Sequence, residues 1–437
     1  MGLCDVLVIG GGLAGWRAAE AAAQAGASVA LVANGAGNSP EIHALNVPVG
    51  PGDSVDLFIA DTLRSGRGAC DPALAETLCR ESVALADEFP WDRKPDGSFD
   101  LLQPVGCSVP RCVSIGHHIG AWALAKLKRD LAGTVEVVRG RIVTLRAEDD
   151  AFRAEMDSHA ENAERSHSSL FTLHSSLVAK TVVLATGGWC GKYAFSDNPP
   201  ELRGDGIALA QSLGAAVRDM DAVQYEPTVA LAPAAVRGIP VITTMLHEGA
   251  TFRNALGEEF LPDRHANKDE LSRAILAEIS AGRGISCLSS DSVIRHSSQS
   301  DAGVWFDATG VPADVLRTRY ADTVRRYAAA GVDVTREPML VAPAPHTSLG
   351  GVVIDARCRV LRPDGSPVPG LFAAGEVTGG VHGLNRIGGN AGTEVLVFGR
   401  IAGREAALAA GAGPPFRGPG RPSPSAPGEM KTLDFPA

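Results

Sequence analysis

Five residues from the start of the chain, the apolar run Val6-Leu7-Val8-Ile9 meets the turn Gly10-Gly11-Gly12-Leu13-Ala14-Gly15. A run this short and apolar is of the kind buried in a parallel sheet. The alanine-rich stretch Trp16 to Ala25 reads as a helix ended by Gly26, and Ser28 to Val32 reads as a second strand. Gly10, Gly12 and Gly15 fit GxGxxG at this strand–helix junction. The first glycine allows the tight turn, the second lets a pyrophosphate approach the backbone, and the third lets helix and strand pack closely. A helix N-terminus preceded by Leu13 and Ala14 then faces the phosphates with unpaired N–H groups. The second strand ends Val32-Ala33-Asn34, without the carboxylate that selects NAD; Asn34 offers a single hydrogen bond in its place. The motif alone leaves FAD and NAD open.

At 437 residues the chain exceeds what one simple core holds, so two domains are expected. The first part of a dinucleotide domain is placed at 1–228, and an inserted domain at 229–344, where the βαβ rhythm stops. The second part follows at 345–412, with a Gly-, Pro- and Ser-rich disordered tail at 413–437. Within these, 34–53 is expected to lie over the cofactor, and 57–89 is helical with a break at Gly66-Arg67-Gly68. A strand pair is expected at 135–146, a polar surface excursion at 147–169, a strand at 177–184 and a final helix at 393–410. Net charge is -10 without a basic stripe, which argues against nucleic acid. No apolar run reaches the length of a membrane span, and the N-terminus enters a strand without a basic region or cleavage site. A cytoplasmic protein is expected, peripheral to a membrane only through a partner. The eight cysteines form no CxxC pair, so reduced thiols and no metal site are expected.

Later segments decide the cofactor. Ala185-Thr186-Gly187-Gly188 follows a buried strand, Gly204-Asp205-Gly206 heads a helix, and Gly370-Leu371-Phe372-Ala373-Ala374-Gly375-Glu376-Val377 follows. The longest stretch is Gly379-Gly380-Val381-His382-Gly383-Leu384-Asn385-Arg386-Ile387-Gly388-Gly389-Asn390, trailed by Phe398-Gly399-Arg400. Together these resemble the flavoproteins of the fumarate reductase, succinate dehydrogenase and L-aspartate oxidase family, over nearly all of residues 4–410. Asp61-Thr62-Leu63 through Cys70-Asp71 is especially similar to L-aspartate oxidase. The resemblance implies an α/β fold: a Rossmann-like FAD-binding domain with an inserted α+β capping domain. It implies FAD at Gly10, Gly12, Leu13, Ala14, Gly15, Asn34, Ala185, Thr186, Gly187, Asp205, Gly375, Glu376, Arg386, Gly389, Asn390 and Ala391. Glu376 would meet the ribityl chain, and the last helix would point its N-terminus at the ring, where it favours negative charge on reduced flavin. Some relatives attach FAD through a histidine after the second strand. His43 is the one histidine there, but Glu41-Ile42-His43-Ala44 does not match the linkage motif, so FAD is expected to be non-covalent.

In the family, flavin N5 passes a hydride to an unsaturated dicarboxylate, an arginine protonates the adjacent carbon, and arginine, histidine and threonine side chains grip the carboxylates. Guanidinium suits that grip because its fork matches a carboxylate. By resemblance Arg386 and His346 keep this role here; a structural salt bridge and a capped loop histidine are the alternatives. The family's His-Pro-Thr reads Glu226-Pro227-Thr228, and its Thr-Glu-Gly reads His247-Glu248-Gly249. A relay arginine becomes Thr251, and Lys268 in Lys268-Asp269-Glu270-Leu271-Ser272-Arg273 takes the place of the proton-donating arginine. A shifted register would put Arg273 there instead. Glu226 should repel one end of a dicarboxylate unless it pairs with Lys268 or a protonated His247. The leading reading is therefore an FAD-dependent oxidoreductase acting on a C–C bond beside a carboxylate, or on an amino-acid C–N bond, with fumarate doubtful as substrate. The alternative is a flavin-bearing electron-transfer component, beside an iron–sulfur or other redox partner, with a degenerate pocket. A nicotinamide-dependent dehydrogenase would need the missing acidic residue.

Overall fold

In the computed structural model, which describes residues 3–116, 118–157, 176–241, 243–261, 263, 266, 268–287 and 302–412, the first apolar run becomes strand β1 (Cys4–Ile9). It is followed by α1 (Leu13–Gln24) and β2 (Val29–Ala33). β1 lies between β2 and β3 (Ser176–Leu184), parallel to both, as its two-sided burial requires. The sheet extends parallel through Glu136–Arg139 beside β2 and Pro367–Ala373 beside β3. Helix α1 begins at Leu13 rather than Trp16. Gly12 is extended, and the Leu13 N–H is donated to Ser39 Oγ at 2.7 Å, so the helix is capped from a distant loop. Ala151–Met156, expected as surface excursion, is instead a strand, because Phe152 and Ala154 bury their side chains against the core. It pairs antiparallel with both β3 and Ile142–Glu148. The rest of that segment, 158–169, the six residues after it, and the tail at 413–437 lie outside the described residues.

A second sheet is antiparallel. Its main pair is β4 (Val223–Ala232) with β5 (Met339–Ser348), continued by Ala302–Asp307 and Thr251–Arg253. Helix α2 (Lys268–Glu278) packs on β4 and β5 through Leu271 and Ile275. The apolar core here, with Phe252, Phe306, Tyr327 and Val341, is separate from the large core around β1.

The final helix, α3 (Asn390–Ala409), starts three residues earlier than its apolar pattern suggests. Its N-terminal turn is stitched to the 45–46 strand: Asn46 Nδ2 donates to the Gly388 carbonyl and to Asn390 Oδ1, both at 2.7 Å. Thr393 Oγ1 accepts from the Asn46 N–H at 2.9 Å and donates to the Asn46 carbonyl at 2.8 Å. α3 then lies along α1 with small residues at the crossing. A Cβ on Gly403 would stand 2.0 Å from the Ala18 carbonyl oxygen.

Candidate active site

The phosphate end is built from backbone. A Cβ on Gly15 would sit 1.9 Å from the Gly10 carbonyl oxygen, and one on Gly10 would sit 2.1 Å from that of Ala185. The three glycines therefore let β1, the turn and α1 close on each other, with Leu13 and Ala14 buried behind them. Ala185, Thr186 and Gly187 leave β3 beside this turn, and Thr186 touches the Gly206 position at the head of Asp205–Ser212. Asp205 is held by Arg141, whose Nε and Nη2 donate to its two oxygens at 2.7 and 2.8 Å. Asn34 is exposed just past β2.

Beyond the glycine turn, Gly375 closes on Ala14 of α1, and Glu376 follows it. Ser348 at the end of β5 donates its N–H and its hydroxyl to Glu376 Oε1, at 2.9 and 2.8 Å. Burial still pushes the Glu376 carboxyl above its ordinary range. Gly389, Asn390 and Ala391 form the turn into α3, fixed by Asn46. Behind it, buried His382 and Glu394 pair at 2.8 Å. Asn46 Oδ1, Thr186 Oγ1, His382 Nδ1 and Arg386 Nε are buried without a hydrogen-bond partner. Unpartnered buried polar atoms are costly and few in folded proteins. Of these, Thr186 is foreseen for the cofactor, and its buried, unpaired hydroxyl fits a polar group of FAD.

Glu226, His346 and Lys268, foreseen for the substrate, lie on β4, β5 and α2 respectively. Gln224 Nε2 donates to Asn385 Oδ1 and to the Arg386 carbonyl, each at 3.0 Å. Arg386 donates Nη1 to the Ile387 carbonyl at 3.2 Å. Burial draws its guanidinium below the usual range, against the pull of Glu376, Glu394, Glu226 and Asp197. His346, on β5, gives Nδ1 to Asp197 at 2.7 Å, and the Asp197 side chain is itself buried. An ionised carboxylate only accepts, so Nδ1 carries the hydrogen and Nε2 faces away as the second ring nitrogen. Glu226, on β4, is paired with Lys268 at the first turn of α2. It also accepts from Thr243 Oγ1 at 3.0 Å and Thr228 Oγ1 at 3.3 Å. Burial alone would raise the Glu226 carboxyl, but Lys268 and then His346 pull it below the ordinary range. The pairing foreseen as the alternative to repulsion is thus the one formed.

Arg273 lies five residues along α2, one and a half turns from Lys268, and is exposed. It pairs at 2.8 Å with Asp269, which Arg67 also holds at 2.6 Å. Glu248 pairs with Arg319, and His247 is exposed on the same 3₁₀ turn, Thr243–Glu248. Thr251 opens a strand opposite Asp307. Among the residues not singled out from sequence, Asp197, Ser348, Asn46 and Glu394 bear most directly on the site. Arg111 joins them: fully buried, it ties Asp53 and Asp61 together at 3.0 and 2.8 Å and so fixes the loop ahead of the 55–65 helix.

A parallel sheet with a glycine turn at a helix N-terminus, beside an antiparallel sheet that carries a buried glutamate paired with a lysine, is the frame of a dinucleotide-binding protein. The FAD binding domain family matches residues 5–391, and the chain belongs to it. It is 32% identical over 427 residues to a component of the fumarate reductase (CoM/CoB) of Methanothermobacter marburgensis, covering 92% of this chain and 72% of that one. It is also 32% identical to the L-aspartate oxidase of Caulobacter vibrioides, over 94% of this chain and 77% of the relative. Among solved structures, the FrdA chain of an E. coli quinol fumarate reductase variant superposes with a TM-score of 0.78 at 25% identity, over 96% of this chain and 72% of that chain. Sdh1 of Mycobacterium smegmatis gives 0.76 at 29% identity, over 94% and 70%. The protein is an FAD-dependent oxidoreductase of this group.

Proposed function

We propose that the protein exchanges a hydride between bound FAD and a small substrate bearing a carboxylate, and that fumarate is not its natural partner. The reaction is placed at a C–C bond next to the carboxylate, with an amino-acid C–N bond as the second choice. The observation that carries this reading is Arg386, partly exposed on the turn leading into α3, with its Nε buried and unpartnered. Guanidinium in that state is suited to a carboxylate. Bound FAD supplies the two-electron carrier, and the chain supplies orientation and protons. Arg386 and His346 hold the substrate, with Asp197 fixing the His346 ring. Lys268 handles the proton in preference to Arg273, because Lys268 is the one paired with the buried carboxylate Glu226. FAD is held without a covalent link, so acid precipitation should release all of the flavin into the supernatant.

An iron–sulfur or other electron-transfer partner is part of the proposal, because the Methanothermobacter relative is itself one component of a larger enzyme. Among the described residues no helix is long and apolar enough to cross a membrane, so any membrane contact would run through such a partner. The reading is tested by reducing the purified protein anaerobically and mixing it with 2-enoic acids, imino acids, quinones and oxygen. Saturable reoxidation by one class of acid supports it. Reoxidation by quinone or oxygen alone would make a flavin-bearing electron-transfer component the better account.

A further inference from the structure

The far end of the proposed substrate site is an ion pair, and that limits what a bound acid can carry there. Gln224 and Glu226 are both buried on β4 while Tyr225 between them is exposed, so they share one face of the strand. Gln224 grips the Asn385–Arg386 backbone, and Glu226 is the next side chain along, about 7 Å further by strand geometry. One end of this face therefore offers Arg386. The other offers the Glu226–Lys268 pair.

The two cations differ in what they have left to give. Arg386 keeps a buried N–H without an acceptor. Lys268 is spent on Glu226, whose charge it balances. Glu226 Oε1 accepts from Thr243 and Thr228, and Oε2 from Lys268, so one oxygen retains acceptor capacity. The Lys268 side chain is 39% exposed, and its ammonium retains further N–H donors. Side by side, the pair shows an acceptor and a donor with no net charge. Among the described residues paired there, a second carboxylate would meet Glu226 and only the Lys268 that already balances it. A neutral group that both donates and accepts would match both members.

Resting on the oxidoreductase reading above, we propose that the substrate carries a single carboxylate, held at Arg386, and ends in a neutral donor–acceptor group at the Glu226–Lys268 pair. A carboxamide is its simplest form. A second carboxylate is rejected because Glu226 already neutralises the cation that would receive it, so the discrimination is lodged in one residue.

The test compares succinate with succinamate, which differ only by oxygen against NH₂ at one end. Each is titrated into the oxidised holoprotein, with binding read from the shift in flavin absorbance. Succinamate is expected to bind at least ~10-fold more tightly at neutral pH, the scale of one unfavourable charge contact. In Glu226→Gln, Lys268 is released to take a carboxylate, and the order is expected to reverse. A merely structural Glu226 would weaken both ligands and leave the order unchanged. If that variant loses its flavin, Lys268→Met serves instead and should widen the preference against succinate. Succinate binding as tightly as succinamate in the unaltered protein, or neither ligand binding, overturns the proposal. Fumarate and fumaramate then separate it from the broader reading. A succinamate preference without reoxidation by either unsaturated acid would keep the inference and remove hydride transfer at a C–C bond. Faster reoxidation by fumarate would do the opposite.

Discussion

The two sheets of this molecule make their sites from different materials. Around β1 the cofactor surface is backbone: Gly10, Gly12 and Gly15 close the turn, and a Cβ at Gly15 would stand 1.9 Å from a carbonyl oxygen. Around β4 and β5 the surface is side chain: Arg386, His346–Asp197 and Glu226–Lys268, of which Glu226 is buried and Arg386, His346 and Lys268 are partly exposed. A backbone site tolerates almost no change in residue type, since the geometry itself is the recognition. A side-chain site can be rebuilt one charge at a time on an unaltered frame. That contrast lets a chain keep a flavoprotein frame while single charges beside it change.

Substitutions can break the contrast, and their effects should fall in a definite order. Gly15→Val should leave the purified protein with less than about a tenth of its flavin, because the turn cannot close. The ratio of flavin absorbance to protein absorbance measures this. Arg386→Ala should keep its flavin but lose on the order of 100-fold in kcat/KM, the loss of a desolvated charge-assisted pair. Near-normal kinetics would remove Arg386 from the substrate grip. Lys268→Met should lower the rate of flavin reoxidation by the preferred acid by about 10-fold or more, the usual range for a lost general acid. Glu226→Gln should cost on the order of 1–2 kcal/mol at pH 7, less than a wholly buried pair because Lys268 is 39% exposed. The sign of its pH dependence is fixed. The folded Glu226 carboxyl lies below its ordinary value, so its contribution is present above about pH 4.3 and lost as pH falls through the folded value. Denaturation of both proteins from pH 7 to pH 3 should show the gap between them closing. Arg273→Ala should be the mildest, under about 0.5 kcal/mol with unchanged kinetics, as for an exposed i,i+4 pair. A large kinetic defect there would restore the shifted register.

Legibility in the sequence follows the same division. β1, the glycine turn and β2 are local, so periodicity and three glycines reveal them, and the long glycine-rich run into α3 is equally plain. The start of α1 is not legible, because its cap, Ser39, comes from a loop 26 residues away. Phe152 and Ala154 sit in a polar neighbourhood that conceals a six-residue strand. Motif positions single out Arg386, His346, Glu226 and Lys268. They do not reveal Asp197, because nothing local marks a residue that matters only through a histidine 149 positions later. Arg111 is hidden in the same way: its two carboxylate partners are 50 and 58 residues upstream.

The most direct test of the account is rapid mixing of anaerobically reduced holoprotein with increasing concentrations of an unsaturated monocarboxylate, in the unaltered protein and in Arg386→Ala. The account predicts that the return of oxidised flavin absorbance saturates with acid in the first, and stays slow and unsaturated in the second at equal flavin content. Identical traces from the two proteins, or no reoxidation of either except by oxygen or quinone, would contradict it.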